Sequence, residues 1–215
     1  MDEHVTHLKS VLQILRDHQF FVKASKCSYA VDIIDCLGHI INAQGVAPDP
    51  AKVTAMTQWP TPENTKQLKG FLGLTGYYRK FIKGYAEIAS PVTNLLKKDN
   101  FLWSKEAEES FQTLKQRMVT APVLMLPNFN LPFQVETDAS GIALGAVLLQ
   151  EKHPIAYFSK KFSLKLQRSS TYIRELHAMI AATAKWRQYL LGSKITIFTD
   201  HKSLKSLIGA NNLDT

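Results

Sequence analysis

The chain is short of several things, and each shortage closes off a class of protein. It has two cysteines in 215 residues, Cys27 and Cys36, too few for a disulfide framework and spaced unlike the common zinc patterns. Both are expected as buried or half-buried thiols in a reducing compartment. No window approaches the roughly 18 apolar residues that a membrane-spanning helix needs. The amino terminus, Met1-Asp2-Glu3-His4, opens acidic and then turns amphipathic, unlike a secretory signal. The seven histidines are scattered, with no His-x-x-x-His pair on a predicted helix. Charged residues make up 20%, under the roughly 25% that is usual, while 45% are hydrophobic, a composition that argues against a disordered chain. Acidic residues are the scarcer sign: 18 Asp and Glu stand against 26 Lys and Arg, for a net charge of +8 and a pI near 9.4. Such a surplus favours a polyanionic partner, nucleic acid or a membrane surface, although a merely basic surface has the same composition.

What is present divides near Asn100. Val5, Leu8, Val11, Leu12 and Leu15 recur at helical spacing between His4 and Phe20, predicting a helix with one buried stripe. Phe20–Lys23 and Ile33–Ile41 read as strands, the second with Gly38 inside it, where a bulge or close backbone approach is expected. Ala47-Pro48-Asp49-Pro50 breaks the chain, a short helix runs from Pro50 to Gln58, and Trp59-Pro60-Thr61-Pro62 breaks it again. Residues 61–65 then start a helix that packs through Leu68, Phe71, Leu72, Leu74 and Thr75. Gly70, Gly73 and Gly76 each cost that helix about 1 kcal/mol relative to Ala, which suggests something bulky close against them. A further helix runs from Ile88 to Leu96. Lys66, Lys69, Arg79, Lys80, Lys83, Lys97 and Lys98 are opposed here only by Glu87. Ser104–Val119 is amphipathic, acidic at its start and basic at its end as the helix dipole prefers, and is expected to pack on the second domain.

After Leu131 the pattern changes. Phe133–Asp138, Ile142–Gln150 and Pro154–Phe158 read as an antiparallel meander, with Gly141 and Gly145 marking its first hairpin. Ser170–Leu191 reads as a long helix with Tyr172, Leu176, Met179, Ile180 and Thr183 on its packing side; Lys194–Thr199 is a strand and Lys202–Ile208 a short helix. The order implies a mixed sheet with helices packed on it. Three acidic residues stand out: Asp138 at the end of one strand, Glu175 in the first half of the long helix, and Asp200 at the end of another strand. Carboxylates gathered from separate elements make the oxygen-rich site that holds Mg²⁺ for phosphodiester chemistry. Each also has a plainer reading. Asp138 before Ser-Gly suits a turn, Glu175 a solvated helix face, and Asp200 the cap of a following helix.

Four motifs in order resemble one family. Phe71-Leu72-Gly73-Leu74-Thr75-Gly76-Tyr77-Tyr78-Arg79-Lys80-Phe81-Ile82 resembles the thumb of reverse transcriptases from gypsy-type LTR retrotransposons. Cys36-Leu37-Gly38-His39 resembles the primer-gripping hairpin at the end of that family's palm, with Cys36 where an aromatic is usual. Thr137-Asp138-Ala139-Ser140 and Phe198-Thr199-Asp200-His201-Lys202-Ser203-Leu204 resemble the RNase H domain of the same polyproteins. The resemblance implies a mixed α+β and α/β chain: palm end over residues 1–60, helical thumb over 61–100, connection over 101–132, and a truncated RNase H-like mixed sheet with helices over 133–215. It implies that Met1 is internal to a longer reading frame, and that the fifth strand, last helix and fourth acidic ligand lie beyond Thr215. No Asp-Asp pair exists, so the family's polymerase motif is absent.

By the same resemblance, Asp138, Glu175 and Asp200 are the catalytic and metal-binding residues, with Mg²⁺ as cofactor and Mn²⁺ as its substitute. Leu37, Gly38, His39, Lys69, Gly73, Tyr77, Arg79 and Lys80 would bind nucleic acid, Gly73 and Tyr77 in the minor groove, with Lys83 adding salt-sensitive affinity. Tyr77, Tyr78 and Phe81 also read as core aromatics of a helical bundle. The implied partners are an RNA–DNA hybrid or template–primer duplex and the rest of the Pol polyprotein, with no membrane, in the cytoplasm or alternatively the nucleus. An inactive nucleic-acid-binding remnant, and a decayed product that does not fold, remain the rival readings.

Overall fold

The computed structural model describes residues 2–97, 101–192 and 194–200. The chain forms two compact units, one up to Ile34 and one from Asp35 onward. In the first, α1 (Asp2–Asp17) forms as its apolar spacing predicts, with Asp2 and Glu3 in its first turn and Arg16 in its last. The expected buried stripe is absent: no residue of α1 is buried, and Val5, Val11 and Leu12 are exposed. A unit of about one helix has no second apolar face to cover the stripe. The strand expected at Phe20–Lys23 does not form either; the segment is unpaired and leads into a 3₁₀ turn at Ala24–Lys26.

A three-stranded sheet starts at the boundary residue Ile34 and has the order β1 (Ile34–Cys36), β2 (His39–Asn42), β3 (Gly45–Pro48). The single strand expected at Ile33–Ile41 is thus two strands. Leu37 and Gly38 both have positive φ, +51° and +73°, and form the tight turn between them, so Gly38 marks a hairpin and not a bulge. α2 (Pro50–Thr57) starts where Asp49 accepts the Ala51 N–H at 2.8 Å. α3 (Thr65–Tyr77) is capped reciprocally: Asn64 accepts from Gln67 N–H, and the Gln67 side chain accepts from Glu63 N–H. A 3₁₀ turn at Arg79–Phe81 follows, then α4 (Tyr85–Ile88) and α5 (Ser90–Asn94), which divide the helix expected at Ile88–Leu96.

α6 (Lys105–Val119) begins at its Ser104 cap. Its packing differs from expectation. Ala107, Phe111 and Leu114 are buried with Leu68, Phe71, Ala89, Val92 and Leu95, so α6 joins the helical layer and not the sheet that follows. The Phe71 and Phe111 rings lie 4.5 Å apart at the centre of this core. Complementary stripes on α3, α5 and α6 decide the matter. Cys36 is exposed and only Cys27 half-buried, so burial of both thiols is not what the fold provides.

The second sheet has the order β6-β5-β4-β7, built from β4 (Phe133–Ala139), β5 (Ala143–Gln150), β6 (His153–Lys161) and β7 (Ile195–Phe198). The first three pair antiparallel and β7 pairs parallel to β4, the mixed sheet that the sequence implied. Gly145 lies within β5 opposite Asp138, not in the hairpin turn. α7 (Leu164–Gln167), α8 (Thr171–Lys185) and α9 (Arg187–Leu190) follow β6; the long helix expected over 170–191 is interrupted at Trp186. Phe133, Val135, Ala146 and Leu148 pack against Ala182, Trp186 and Leu190. The buried positions of α8 are Glu175, Ala178, Met179 and Ala182, while Ile180 faces outward, so the packing side is turned from the one the apolar residues suggested. Gln150, wholly buried, clips the preceding connector by donating to Asn128 and Leu131 carbonyls and accepting from Asn128 N–H. The helix expected at Lys202–Ile208 and the boundary near Asn100 lie outside the described residues.

Candidate functional site

The outer face of α3 is the first candidate surface. Lys66, Lys69, Gly73 and Tyr77 recur at intervals of three and four residues and are all exposed, while Leu68, Phe71 and Thr75 occupy the opposite, buried side. The three glycines of the helix have different surroundings. A Cβ at Gly70 would meet Trp59 at 3.3 Å and one at Gly76 the Tyr85 hydroxyl at 3.6 Å, whereas one at Gly73 would meet nothing within 4 Å. The bulky neighbour expected at all three is therefore internal at Gly70 and Gly76, and Gly73 alone opens outward. No acidic side chain among the described residues forms an ion pair with Lys66, Lys69, Arg79, Lys80 or Lys83. Arg79 and Lys83 are exposed. Lys80 is not a free surface cation: it is half-buried, its Nζ lies 5.1 Å from the Phe81 ring centroid, and desolvation lowers its pKa.

The β1–β2 turn meets the end of this helix. Tyr77 donates its hydroxyl to the Leu37 carbonyl at 2.6 Å, and Tyr78 donates to the Gly38 carbonyl at 2.7 Å. A Cβ at Gly38 would lie 2.8 Å from the Tyr78 hydroxyl, so glycine is required there by contact as well as by φ. Tyr78 and Phe81 are core aromatics, while Tyr77 keeps 51% of its surface. Burial, then Asp49, raise the Tyr78 pKa. His39, expected to touch nucleic acid, is only 9% exposed and sits against the Tyr77, Tyr78 and Phe81 rings. A histidine on a short strand carries no local signal of burial, and two adjacent tyrosines give no sign of which points inward.

The three carboxylates reach one end of the second sheet by different routes. Burial alternates along β4, placing Thr137 and Ala139 on the α8 side and Glu136 and Asp138 on the other. Glu175, 2% exposed, comes from α8 and accepts the Ala139 N–H at 3.2 Å. β7 runs parallel beside β4 and its pairing ends with Glu136 opposite Phe198, so Asp138 lies two residues further along β4 and Asp200 follows two residues past the end of β7. Asp138 and Asp200 are exposed. Glu175 and Asp138 thus approach the strand end from opposite faces, and the described residues hold no group of three or more His, Cys, Asp or Glu able to bind a metal ion. His201 lies outside the described residues.

Asp138 also lines a cleft of about 270 Å³ between the sheet and the segment before α4. Lys83 and Glu87 stand on one wall, and Glu136, Asp138, Tyr157 and Ser159 on the other. The Ala86 N–H donates to Ser159 Oγ at 2.8 Å, and Lys161 Nζ donates to Ser90 Oγ at 2.7 Å, fastening the helical layer to β6. No sequence signal pointed to this cleft, because its walls, at Lys83–Glu87 and at Glu136–Ser159, are far apart along the chain.

Residues 103–197 match the family model described as an RNase H-like domain found in reverse transcriptase. The chain is 40% identical over 209 residues to the retrovirus-related Pol polyprotein from transposon 297 of Drosophila melanogaster, covering 96% of this chain and 20% of that protein. It is 36% identical over 224 residues to the Pol polyprotein from transposon gypsy of the same organism, covering 98% and 22%. The chain therefore spans about a fifth of the length of these curated relatives. Among solved structures, the foamy viral protease–reverse transcriptase in complex with RNA/DNA hybrid superposes with a TM-score of 0.80 at 21% identity, covering all of this chain and 30% of that one. The chain belongs to the Pol polyproteins of gypsy-type LTR retrotransposons and corresponds to part of their reverse transcriptase and RNase H region.

Proposed function

We propose that this chain binds a template–primer or RNA–DNA hybrid duplex along the outer face of α3 and the adjoining Leu37–Gly38 turn. The observation that carries this reading is the exposed row Lys66, Lys69, Gly73 and Tyr77. It offers two unpaired cations, one position with no side chain, and one aromatic ring, continuous with the turn fastened to Tyr77. The cations meet phosphates, and the bare backbone at Gly73 lets the helix approach a shallow groove. Arg79 and Lys83 extend the charge past the helix end. Sequence is not read by such contacts; shape and backbone are. The complex of the foamy viral neighbour with an RNA/DNA hybrid supports this choice of ligand. Fluorescence titration of a labelled hybrid at several salt concentrations tests it: affinity falls steeply with salt and falls with Lys69→Ala. Affinity that ignores both refutes it.

A second reading is hydrolysis of the RNA strand by the carboxylates at the end of β4, the ancestral activity of RNase H-like domains. Asp138 near the end of β4, Asp200 just past the end of the parallel β7, and Glu175 bonded to the residue after Asp138 favour it. Mg²⁺, or Mn²⁺ in its place, would be the cofactor. The described side chains do not by themselves gather three ligands for one ion. Cleavage of a labelled hybrid that vanishes in Asp138→Asn supports hydrolysis; a folded, duplex-binding chain that leaves the hybrid intact limits the function to binding. The remainder of the Pol polyprotein is the proposed protein partner.

A further inference from the structure

The Leu37–Gly38 turn is strained and is held from one side. Leu37 has φ +51°, a conformation that L-residues with bulky side chains rarely adopt, yet its side chain is 83% exposed and gains no burial in return. Hydrogen bonds hold it instead. The Leu37 carbonyl accepts from the Tyr77 hydroxyl and lies 3.1 Å from His39 Nδ1, while the Gly38 carbonyl accepts from Tyr78. A carbonyl only accepts, so Nδ1 carries the proton and the neutral ring leaves Nε2 bare. That Nε2 is buried and has no hydrogen-bond partner among the described residues. The ring is enclosed by Tyr77, Tyr78 and Phe81, with centroids at 5.3, 5.5 and 5.7 Å.

We propose that His39 is a positioning residue: with Tyr77 and Tyr78 it fastens the Leu37–Gly38 turn to the end of α3, so that turn and helix meet a duplex as one preorganised surface. The inference rests on the duplex-binding reading above. His39 itself does not touch the duplex. Its enclosure makes the fastening depend on protonation. A second proton at Nε2 finds no acceptor. Lys80 from the 3₁₀ turn presents its cation to the same ring, and the other ionisable groups around the cluster are the Tyr77 and Tyr78 phenols, with Asp49 and Asp35 acting on Tyr78. Burial first, then Lys80, lower the imidazole below its ordinary 6.5. The neutral form is therefore favoured by the folded state. Charging the ring leaves the Nδ1–H bond to Leu37 in place but puts an unpartnered charge inside the ring cage, so the enclosed arrangement is fully favoured above the ordinary value and gives way as pH falls through the lowered one.

The test titrates a labelled RNA–DNA hybrid with the whole chain between about pH 8 and pH 5, the range in which imidazoles charge. Wild type, His39→Phe, His39→Asn and Tyr77→Phe are compared, with thermal unfolding of each. His39→Phe keeps a ring and loses the donor; it is expected to bind about five-fold more weakly at the upper pH, the size of one net hydrogen bond. Its deficit relative to wild type closes as pH falls. His39→Asn, which restores an N–H near the position of Nδ1 and cannot titrate, recovers part of the affinity and removes the pH step. Tyr77→Phe, at an exposed position that leaves folding intact, shows a similar loss with its ring retained. Affinities of His39→Phe and Tyr77→Phe equal to wild type overturn the proposal, as does a deficit that is constant across pH and mirrored by a fall in melting temperature. Failure of wild type itself to bind overturns the duplex-binding reading instead.

Discussion

Replacing Gly73 by Ala separates stability from binding, because the structure gives the two effects opposite signs. Gly73 lies in the middle of α3 with helical backbone, and a Cβ there would meet nothing within 4 Å. Alanine loses less conformational freedom on folding and exposes less backbone, so the substitution should stabilise the chain by about 1 kcal/mol. In a unit of this size that raises the melting temperature by about 2–4 °C. The same methyl group stands out from the α3 face proposed to lie against a duplex. Overfilling a close contact costs roughly 1–3 kcal/mol, which corresponds to about five- to a hundred-fold weaker binding. Thermal unfolding and hybrid titration on the same preparation read both. Gly70→Ala is the control, since its Cβ would press on Trp59 at 3.3 Å and no gain in stability is expected. A Gly73→Ala chain that is more stable and binds as wild type would refute the assignment of this face to nucleic acid. One that is less stable would refute the account of its open surroundings.

Other outcomes follow from particular contacts. Gly38→Ala combines a positive φ with a 2.8 Å approach to the Tyr78 hydroxyl, so it should destabilise by about 2–4 kcal/mol in urea unfolding; a loss under about 1 kcal/mol would mean that the turn has another conformation. Gln150→Leu leaves the Asn128 N–H and the Leu131 carbonyl without their partner, the Asn128 carbonyl keeping the Leu131 N–H, and should cost about 1–3 kcal/mol, with fast amide exchange at Asn128; unchanged exchange would show that the clip is dispensable. Wild type should lose stability relative to His39→Phe as pH falls below the ordinary imidazole value of 6.5, and parallel pH–stability curves would contradict a neutral, enclosed His39. Asp138→Asn should abolish any cleavage of a hybrid while leaving its binding in place, and a variant that still cleaves would remove Asp138 from the chemistry.

Local pattern carried most of the element order. Asp49, Asn64 and Ser104 cap the helices they precede, and the meander, the strand at 195–198 and the placement of Asp138 on a strand and Glu175 on a helix follow from short-range signals, while Asp200 falls two residues past its strand. The failures share a cause. Ile33–Ile41 reads as one strand because its apolar run hides a turn whose first residue is a leucine with positive φ. The apolar spacing of α8 points to the wrong face because its buried side holds a glutamate and three small or flexible residues, while Ile180 and Ile173 lie outside. The stripe of α1 predicts the helix but not its covering, which depends on what else is near.

The sequence by itself determined the family, the mixed α and β character and where the basic charge is concentrated, because these are written in residue types and in spacings of a few positions. Tertiary structure alone decided which tyrosine of Tyr77-Tyr78 faces outward, that His39 is enclosed, that Gly73 opens to solvent while Gly70 meets Trp59, and that Asp138 and Glu175 approach their strand end from opposite sides of the sheet. Each of these depends on which surface lies across from a residue. That surface is supplied by elements tens of residues away, so its effect has no period within the local chain.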